Sequence, residues 1–221
     1  MAQQRDLERT REKILAAATV EFAAHGFAGA RVDAIARRAR VNKQMLYYCF
    51  GAKRELYHEI LRRKFAERTA FLDSLPATVE EALLHIFDKS TDDLDFVRML
   101  EWEALDSSSP TKTVAAEERR ALFSKAMKKF GAAQRAGAIA ADVDVRHLFI
   151  SFIACAVFPL AFPQMMRLVT GLEPSDPRFR RSRREFLSWL GRKLGSATGH
   201  ADRRASANGN RRIGHQAGEL R

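Results

Sequence analysis

The sequence predicts an all-α protein. Apolar residues recur at steps of three or four along most of the 221-residue chain, which is the spacing that gives a helix one buried face. Glycine, proline and short polar runs separate these segments, as they do between helices. The chain shows neither the apolar–polar alternation that marks a strand nor an internal repeat. We therefore expect a series of helices packed on one another.

The first two helices are predicted at about 6–24 and 32–39. Gly26 follows the first helix and is suited to the left-handed conformation that ends a helix. Small and apolar side chains form the inner face of the second helix. Arginines surround that face, namely Arg31, Arg37, Arg38 and Arg40. The second helix should therefore carry a positively charged outer surface.

A third helix is predicted at 43–50. Asn42 is a good N-cap, because its side chain can accept hydrogen bonds from the free amides of the first turn. Met45 or Leu46 is expected to face inward, and Gly51 to end the helix. The helix has a polar front and an aromatic back, which suits a surface that contacts a partner.

The chain beyond this point is expected to be helical to about residue 194. Apolar stripes and the breaks between them predict helices at about 52–72, 79–89, 92–105, 113–136, 145–158 and 177–194. The helix from 145 should continue past Pro159 with a kink, and a loop is predicted at 107–110. From residue 195 the composition turns to Gly, Ser, Ala, Asn and Arg without periodicity, which predicts a disordered basic tail.

The charge of the chain points to an acidic partner. There are 38 Lys and Arg against 27 Asp and Glu, a net charge of +11. Nucleic acid and an anionic membrane surface are the partners that such a charge favours. The other reading is a basic tail that only aids solubility.

Nothing in the sequence predicts export or insertion into a membrane. The first residues are polar and lack the apolar run of a signal peptide. The longest apolar run, 148–162, is interrupted by Pro159 and is shorter than the roughly 20 residues that a span needs. Cys49 and Cys155 make neither a disulfide framework nor a metal-ligand cluster. We expect a reduced, cytoplasmic protein without metal, cofactor or membrane partner.

The first three predicted helices describe a helix-turn-helix unit. A major groove roughly 12 Å wide admits one α-helix, so the helix that reads it must project from a scaffold. On the third helix, Lys43 can donate to guanine O6 and N7, and Gln44 can make a two-point contact with adenine. The Tyr47 hydroxyl can reach a phosphate oxygen. Lys53 and the free amides of the following helix can hold another phosphate.

The run GFAGARVDAIARRARVNKQMLYYCFGAKRELY, residues 26–57, resembles the DNA-binding domain of the TetR family of transcriptional repressors. The matching positions are Gly26, Phe27, Val32, Ile35, Ala36, Ala39, Val41, Leu46, Tyr47, Phe50, Lys53 and Leu56. The later segment DFVRMLEWEAL also resembles a helix common in the C-terminal domains of this family. The resemblance implies a ligand-responsive regulator, a repressor that binds a palindromic operator as a dimer and is released by a small molecule.

The DNA-binding residues are expected on and around the third helix. They are Arg31, Asn42, Lys43, Gln44, Met45, Tyr47, Tyr48 and Lys53. Three positions depart from the family pattern. Arg40 stands where the family often has Gly, Arg31 follows Ala30 where it often has Ser or Thr, and Cys49 stands where it often has Tyr or His. A left-handed arginine or a lost cap would each cost about 1 kcal/mol.

The resemblance also implies a C-terminal helical domain that binds a small molecule and dimerises. Candidate effector-binding residues are His85, Phe87, Met99, Trp102, Glu103, Phe123, Met127, Phe152 and Phe158. Glu103 and His147 are the candidate polar anchors. The aromatic and methionine content of these helices suggests an apolar or aromatic effector. The alternative for each residue is an ordinary place in the core or on the surface.

A two-fold homodimer is predicted to form through the helices at 145–158 and 177–194. The expected interface residues are Leu148, Phe152, Cys155, Phe179, Phe186, Leu187, Trp189, Leu190 and Leu194. One helix-turn-helix reads only a short half-site, so specificity calls for two copies. The alternative is that this apolar face packs within its own domain.

Three parts of the chain are therefore predicted: a DNA-binding domain at 1–53, an effector-binding and dimerisation domain at 54–194, and a basic tail at 195–221. An enzyme is not expected, because no nucleophile elbow, metal-ligand spacing, Gly-rich phosphate loop or carboxylate pair stands out. A nonspecific architectural DNA-binding protein is the main alternative, and a protein-interaction module is a second.

Overall fold

The protein is seen here as a computed structural model that describes residues 2–106 and 114–196. Those residues form ten α-helices and a short 3-10 helix, without a strand among them, and this confirms the predicted all-α class. The helices are α1 (Ala2–Gly29), α2 (Val32–Ala39), α3 (Lys43–Phe50), α4 (Lys53–Phe71), α5 (Val79–Thr91), α6 (Leu94–Leu105), α7 (Ala116–Arg135), α8 (Val145–Ala161), α9 (Pro163–Thr170) and α10 (Pro177–Ser196), and the 3-10 turn (Leu72–Ser74) follows α4.

Some predicted segments lie outside this part of the chain. The loop at 107–110 does, and so does the tail beyond residue 196. The helix α10 continues through residue 195, where the tail was expected to begin. Elsewhere the helices keep to the predicted residues within a few positions, and α2 occupies the predicted 32–39.

The helix α1 is longer than predicted because it resumes after a kink. Gly26 has a φ of 65° and a ψ of 178°, which breaks the helical geometry. One more turn follows, closed by a hydrogen bond of 3.2 Å from the Ala30 N–H to the Gly26 carbonyl. A Cβ at residue 26 would lie 2.9 Å from the ring of Trp102. Glycine is therefore required here both by the backbone and by a ring from α6.

The helix α9 is not predicted by the sequence pattern. Pro163 stands at the start of the helix, where a missing N–H costs nothing. Every residue of α9 is at least partly exposed. The helix α9 therefore has no fully buried apolar face whose spacing would have predicted it.

Pro159 lies inside α8, as expected, and the structure shows how the helix tolerates it. A proline has no N–H to donate to the carbonyl four residues earlier, which belongs to Cys155. The Arg183 guanidinium of α10 donates to that carbonyl instead, at 2.9 Å. The packing of α10 on α8 thus satisfies the acceptor that the proline leaves free.

Two hydrophobic clusters form the core. The first is built on α1 to α4 and extends into α6 and α7. Its members include Ile14, Phe22, Leu46, Leu56, Leu61, Met99 and Ala126. The second lies between α5, α7, α8 and α10, and includes Leu83, Phe87, Phe130, Phe152 and Leu187. The first cluster crosses residue 53, because α1 packs on α6 and α4 packs on α7.

Among the described residues, the helices differ in how far they meet the length and the apolar character of a bilayer span. No helix taken singly combines the necessary length with the necessary apolar character. One pair of consecutive helices, α8 with α9, does so by length and composition only, and the two helices meet at an angle of 84°.

Candidate functional site

The turn between α2 and α3 is closed by Arg40 in a left-handed conformation. Its φ is 57° and its ψ is 42°, which costs a residue with a side chain about 1 kcal/mol relative to glycine. The Arg40 N–H donates to the Arg37 carbonyl at 3.2 Å. The Val41 N–H donates to the Ala36 carbonyl at 3.0 Å. The turn therefore keeps the geometry of a glycine-closed helix end, with an exposed arginine in the glycine position.

The helix α3 has one buried and one exposed side. The Asn42 carboxamide oxygen accepts from the Met45 N–H at 2.7 Å, which confirms the predicted N-cap. Leu46 is fully buried and Phe50 is nearly so, and these residues fix the inner side. The exposed side holds Lys43, Gln44, Tyr47 and Tyr48. Tyr47 is 41% exposed and Tyr48 is 75% exposed, so both rings are available to a partner.

Arg11 of α1 holds the C-terminal end of α3. Its guanidinium donates to the Cys49 carbonyl, one of the last carbonyls of the helix, which have no partner within it. The same guanidinium lies 4.5 Å from the centre of the Phe50 ring. Burial raises the pKa of the Cys49 thiol. Sequence reasoning missed Arg11, because its partner is a backbone group on a distant segment.

Glu21 provides the cap that the start of α2 lacks. The side chain of Arg31 makes no capping bond, but the Arg31 N–H donates to a Glu21 carboxylate oxygen at 3.1 Å. Glu21 is buried, with 6% of its surface exposed. A negative charge is favourable at a helix N-terminus. The signal in the sequence is a glutamate on the apolar face of α1, and sequence reasoning did not connect it with the start of α2.

Lys53 is the first residue of α4 and faces the end of α1. Its ammonium donates to the Ala28 carbonyl at 3.3 Å and lies 4.9 Å from the centre of the Phe27 ring. Burial lowers the pKa of Lys53, and the nearby Glu21 opposes that shift. The lysine is therefore held in place beside the free amides at the start of α4.

Lys43 has a partner that the sequence did not suggest. Its ammonium lies 3.0 Å from an Asp33 carboxylate oxygen, and both side chains are at least half exposed. The hydrogen bond to Asp33 raises the pKa of Lys43. An exposed ion pair of this kind is screened by solvent and contributes little to stability. Binding to an anionic surface would therefore lose little by separating it.

The structure brings the predicted DNA-binding residues onto one small unit. Met45 is half-buried, with its sulfur 4.0 Å from the Cys49 sulfur, and Asn42 serves as the cap. The side chains of Arg31, Arg37, Arg38 and Arg40 are exposed around α2. The surface therefore combines a projecting helix, two tyrosine rings and a rim of fixed positive charge.

The predicted effector residues are not gathered around one cavity. Phe87 and Met99 are fully buried, but they belong to different hydrophobic clusters. His85 stacks on Phe71 with ring centres 4.9 Å apart. Met127 packs at the edge of the first cluster. Phe87 and Met99 are therefore core residues, whereas His85 and Met127 are half-buried.

Four other predicted effector residues are at least partly exposed on α6 to α8. Glu103 forms an ion pair with Arg119. Phe123 and Phe158 are nearly half exposed, at 47% and 42%. The indole N–H of Trp102 donates to the Ala23 carbonyl of α1 at 3.1 Å. The ring of Trp102 thus joins α6 to α1, at the edge of a shallow depression of about 300 Å³.

A larger cleft of about 370 Å³ lies between the end of α4, α5, α7 and α8. It is lined by Leu75, Pro76, Ala77, Thr78, Val79, Ala82, Lys129, Phe130, Ala132, Ala133, Ala136, Ala138, Ile139 and Phe152. Among the predicted effector residues, Phe152 lines this cleft. The sequence did not point to the others, because most are alanines and turn residues whose proximity depends on how α5 and α7 pack.

The predicted dimer residues fall into two groups. Phe152, Phe179 and Leu187 are buried inside the protomer, where α10 packs against α5 and α8. Leu148, Cys155 and Leu190 are partly buried against the same cluster. Phe186, Trp189 and Leu194 are exposed, and the Phe186 and Trp189 rings lie 5.8 Å apart. The helix α10 therefore has two apolar sides, and sequence periodicity had merged them into one.

Among the residues that the structure describes, no group of three or more His, Cys, Asp or Glu is placed to hold a metal ion.

Comparison with known proteins supports the assignment of both parts of the chain. Residues 14–60 match the model of the bacterial regulatory proteins of the tetR family, and residues 76–189 match that of the tetracyclin repressor-like C-terminal domain. The HTH-type transcriptional repressor SCO4008 of Streptomyces coelicolor is 31% identical over 167 residues, 76% of this chain and 86% of the relative. The HTH-type transcriptional repressor NicS of Pseudomonas putida is 30% identical over 168 residues, 71% of this chain and 77% of the relative.

A solved structure agrees with these matches. The putative transcriptional regulator SCO4942 from Streptomyces coelicolor superimposes with a TM-score of 0.66 at 28% identity. The similarity covers 82% of this chain and 97% of that one. This chain has a helix-turn-helix unit, an all-helical C-terminal part and the relatives that match it. These features place it in the TetR family of bacterial transcriptional regulators.

Proposed function

We propose that this regulator is a dimeric repressor that binds a palindromic operator and leaves it when a small-molecule effector binds. The observation that supports this most directly is the exposed side of α3. Lys43, Gln44, Tyr47 and Tyr48 project from a unit whose other face is fully packed. Such a helix fits a major groove, where its first residues meet base edges.

The side chains of this surface divide into two roles. Lys43 and Gln44, on the first turn of α3, read bases, and each contributes about 1–3 kcal/mol of discrimination. Lys53, Tyr47 and the arginines around α2 bind phosphates, which gives affinity for any sequence. The phosphate contacts make binding sensitive to salt.

Exposed apolar side chains on α8 and α10 support a dimer. Ile150, Ile153 and Phe158 of α8 are exposed, as are Phe186 and Trp189 of α10. A two-fold contact uses the same patch on both chains, and we infer that these side chains contribute to it. Two copies would place two α3 helices on successive half-sites of a palindrome.

The proposed function is tested by DNA binding to the region upstream of the protein's own gene. Fluorescence anisotropy would compare a footprinted upstream fragment with a scrambled fragment of equal length and composition. A specific repressor should prefer the first by about a thousandfold or more. Equal binding of both fragments would identify a nonspecific architectural protein instead.

Three variants separate the two roles on the same fragments. Lys43→Ala and Gln44→Ala should reduce the preference for the operator. Lys53→Ala should weaken both fragments alike and flatten the dependence of affinity on salt concentration. If Gln44→Ala and Lys53→Ala changed the preference equally, the proposed division would be wrong.

The effector response is tested by release from the operator. An effector must bind more tightly to the conformation that does not bind DNA. Equal affinity for the two conformations would leave their populations unchanged. Coupling of this kind is about 1–3 kcal/mol. Compounds that raise the thermal stability of the protein would be titrated into the operator complex, and a dose-dependent loss of anisotropy is expected.

A further inference from the structure

The cleft between α5 and α7 has the shape and the chemistry of a small ligand site. Its volume of about 370 Å³ is within the range of ligand pockets. Phe130, Ile139 and Phe152 provide apolar walls. Alanines of α5, of α7 and of the segments next to these helices form much of the remaining lining, and their small side chains leave the space open.

One charged side chain is among the residues that line this cleft. Lys129 of α7 is half-buried, and its ammonium donates to the carbonyls of Asp73 and Leu75, at 3.3 and 3.2 Å. Both bonds are long, and an ammonium carries three donors. The third donor and the two weak bonds leave Lys129 able to bind a stronger acceptor. A carboxylate is such an acceptor, because a charge-assisted bond is roughly twice as strong as a neutral one.

The surrounding charges also favour an anion. Lys125 and Lys128 lie within one turn on the same helix, and Lys125 is paired with Asp73 at 2.7 Å. The Glu81 carboxylate accepts from the Thr78 hydroxyl at 2.7 Å, at the capped start of α5. Asp73 and Glu81 therefore have partners of their own, and Glu80 of the same turn is paired with Arg192 at 2.9 Å. The start of α5 adds a partial positive charge beside Lys129.

We propose that this cleft binds an apolar carboxylic acid, with the carboxylate on Lys129 and the apolar body against Phe130, Ile139 and Phe152. This assignment rests on the proposed function in one respect, which is that the acid acts as the effector. An apolar acid combines the two properties of the cleft, apolar walls and the ammonium of Lys129.

The position of Lys129 also suggests how binding reaches the DNA-binding unit. Asp73 and Leu75 follow α4, and α4 begins at Lys53 directly after α3. A carboxylate that binds the Lys129 ammonium replaces the hydrogen bonds of that ammonium to the Asp73 and Leu75 carbonyls. The C-terminal end of α4 then loses an anchor on α7. A shift of α4 would move the start of that helix relative to α3, and so alter the DNA-binding surface.

The test uses the full chain and matched pairs of probes. Octanoate and 4-phenylbutyrate would be titrated by calorimetry, in the absence of DNA, beside octanamide and 4-phenylbutyramide. The acids should bind at least about tenfold more tightly than their amides. Lys129→Met should abolish that preference, whereas Lys128→Met, which changes a lysine that does not line the cleft, should retain it.

A second variant keeps Lys129 and fills the space. Ala136→Trp places a large ring at an exposed position of the cleft wall and should remove binding of both acids and amides. Equal binding of acids and amides, full binding by Lys129→Met, or no saturable binding of any acid would each overturn the proposal. Retention of binding by Ala136→Trp would also overturn it.

Release from the operator tests the role of the acid as effector, separately from its binding to the cleft. The same acids should release the wild-type protein from its operator but not Lys129→Met. An acid that bound the cleft and left operator affinity unchanged would overturn its role as effector. Operator binding without ligand tests the proposed function by itself. The failure of either conclusion can therefore be recognised without the other.

Discussion

Asp33 restrains Lys43, a residue proposed to read bases. Its carboxylate holds the Lys43 ammonium at 3.0 Å and lies on the surface that would face DNA. We expect Asp33→Asn to raise affinity for operator and scrambled DNA several-fold, because it removes a negative charge and frees the lysine. Anisotropy titrations at two salt concentrations would show this.

The control for Asp33→Asn is the double variant Asp33→Asn with Lys43→Met. It keeps the loss of the negative charge but has no lysine to free. Preference for the operator should fall in the double variant and not in the single one. An unchanged affinity of Asp33→Asn would show that Asp33 does not restrain the surface.

Arg40 combines a strained backbone with an exposed positive charge. We expect Arg40→Gly to stabilise the protein by up to about 1 kcal/mol, because glycine adopts a φ of 57° without a clashing Cβ. The same change should weaken binding to all DNA, since a charge near the phosphates is lost. Denaturant unfolding and anisotropy measure the two effects.

Arg38→Ala is the matched variant for Arg40. It removes a neighbouring exposed charge from a helical position, where there is no left-handed strain to relieve. It should weaken DNA binding without the gain in stability. If both variants changed stability equally, the strain at residue 40 would not be significant.

Single residues were predictable from sequence where their partners were close in the chain. The Asn42 cap depends on amides three residues away, and the inward Leu46 follows from helical spacing. Arg11 and Glu21 were not predictable in this way. Each satisfies a backbone group of another helix, and such pairing exists only once the three helices are packed.

At the scale of the helices, α5 and α10 pack so closely that glycine is needed. A Cβ on Gly191 would lie 2.4 Å from the Cα of Glu80, a backbone atom that cannot easily move. We expect Gly191→Ala to destabilise the protein by about 1–3 kcal/mol through this overpacking. Denaturant unfolding measures the change.

Gly131→Ala provides the comparison for Gly191. Its Cβ would lie 3.5 Å from an Arg135 side-chain atom, an ordinary contact within α7. Alanine should stabilise this helix by up to about 1 kcal/mol. A Gly191→Ala protein as stable as the wild type would mean that α10 can move off α5 at little cost.

The helices themselves were largely predictable, and their interior faces less so. Periodicity located α2 and α3 because their caps and breaks are close to them. It did not locate α9, which Pro163 starts, and it did not separate the two apolar sides of α10, which are close in angle. Which side faces α5 depends on Gly191 and Glu80, and no local pattern connects those residues.

At the scale of the whole molecule, dimer formation is the property most open to test. Phe186→Glu with Trp189→Glu should convert a dimer to a monomer, because unpaired charges buried across a two-fold axis cost several kcal/mol. Both residues are exposed in the protomer, so its fold should be retained. Molecular mass in solution, by light scattering, and circular dichroism would show the two results.

Arg181→Glu is the control for the dimer variant. It introduces the same charge at an exposed position on another side of α10 and should leave the mass unchanged. A double variant that stayed dimeric would exclude this face as the interface. A wild-type monomer at micromolar concentration that still bound the palindrome tightly would contradict the dimer altogether.

The all-α class and the two-part organisation followed from sequence. The continuity of the first hydrophobic cluster into α6 and α7 did not, because it joins segments about seventy residues apart in the chain. The residues of the cleft were missed for the same reason. Alanines carry little information in a pattern, and their value as a lining appears only when α5 and α7 are side by side.

The indole of Trp102 at the kink of α1 has an optical consequence. The chain has two tryptophans, and they lie at places with different roles. Trp102 is bonded to α1 at the junction of the two parts, and Trp189 is exposed on α10. In a Trp189→Phe protein, all indole emission would come from the junction. In a Trp102→Phe protein, it would come from the outer face of α10. The molecule thus carries one intrinsic fluorophore at the junction of its two parts and another on the proposed dimer face.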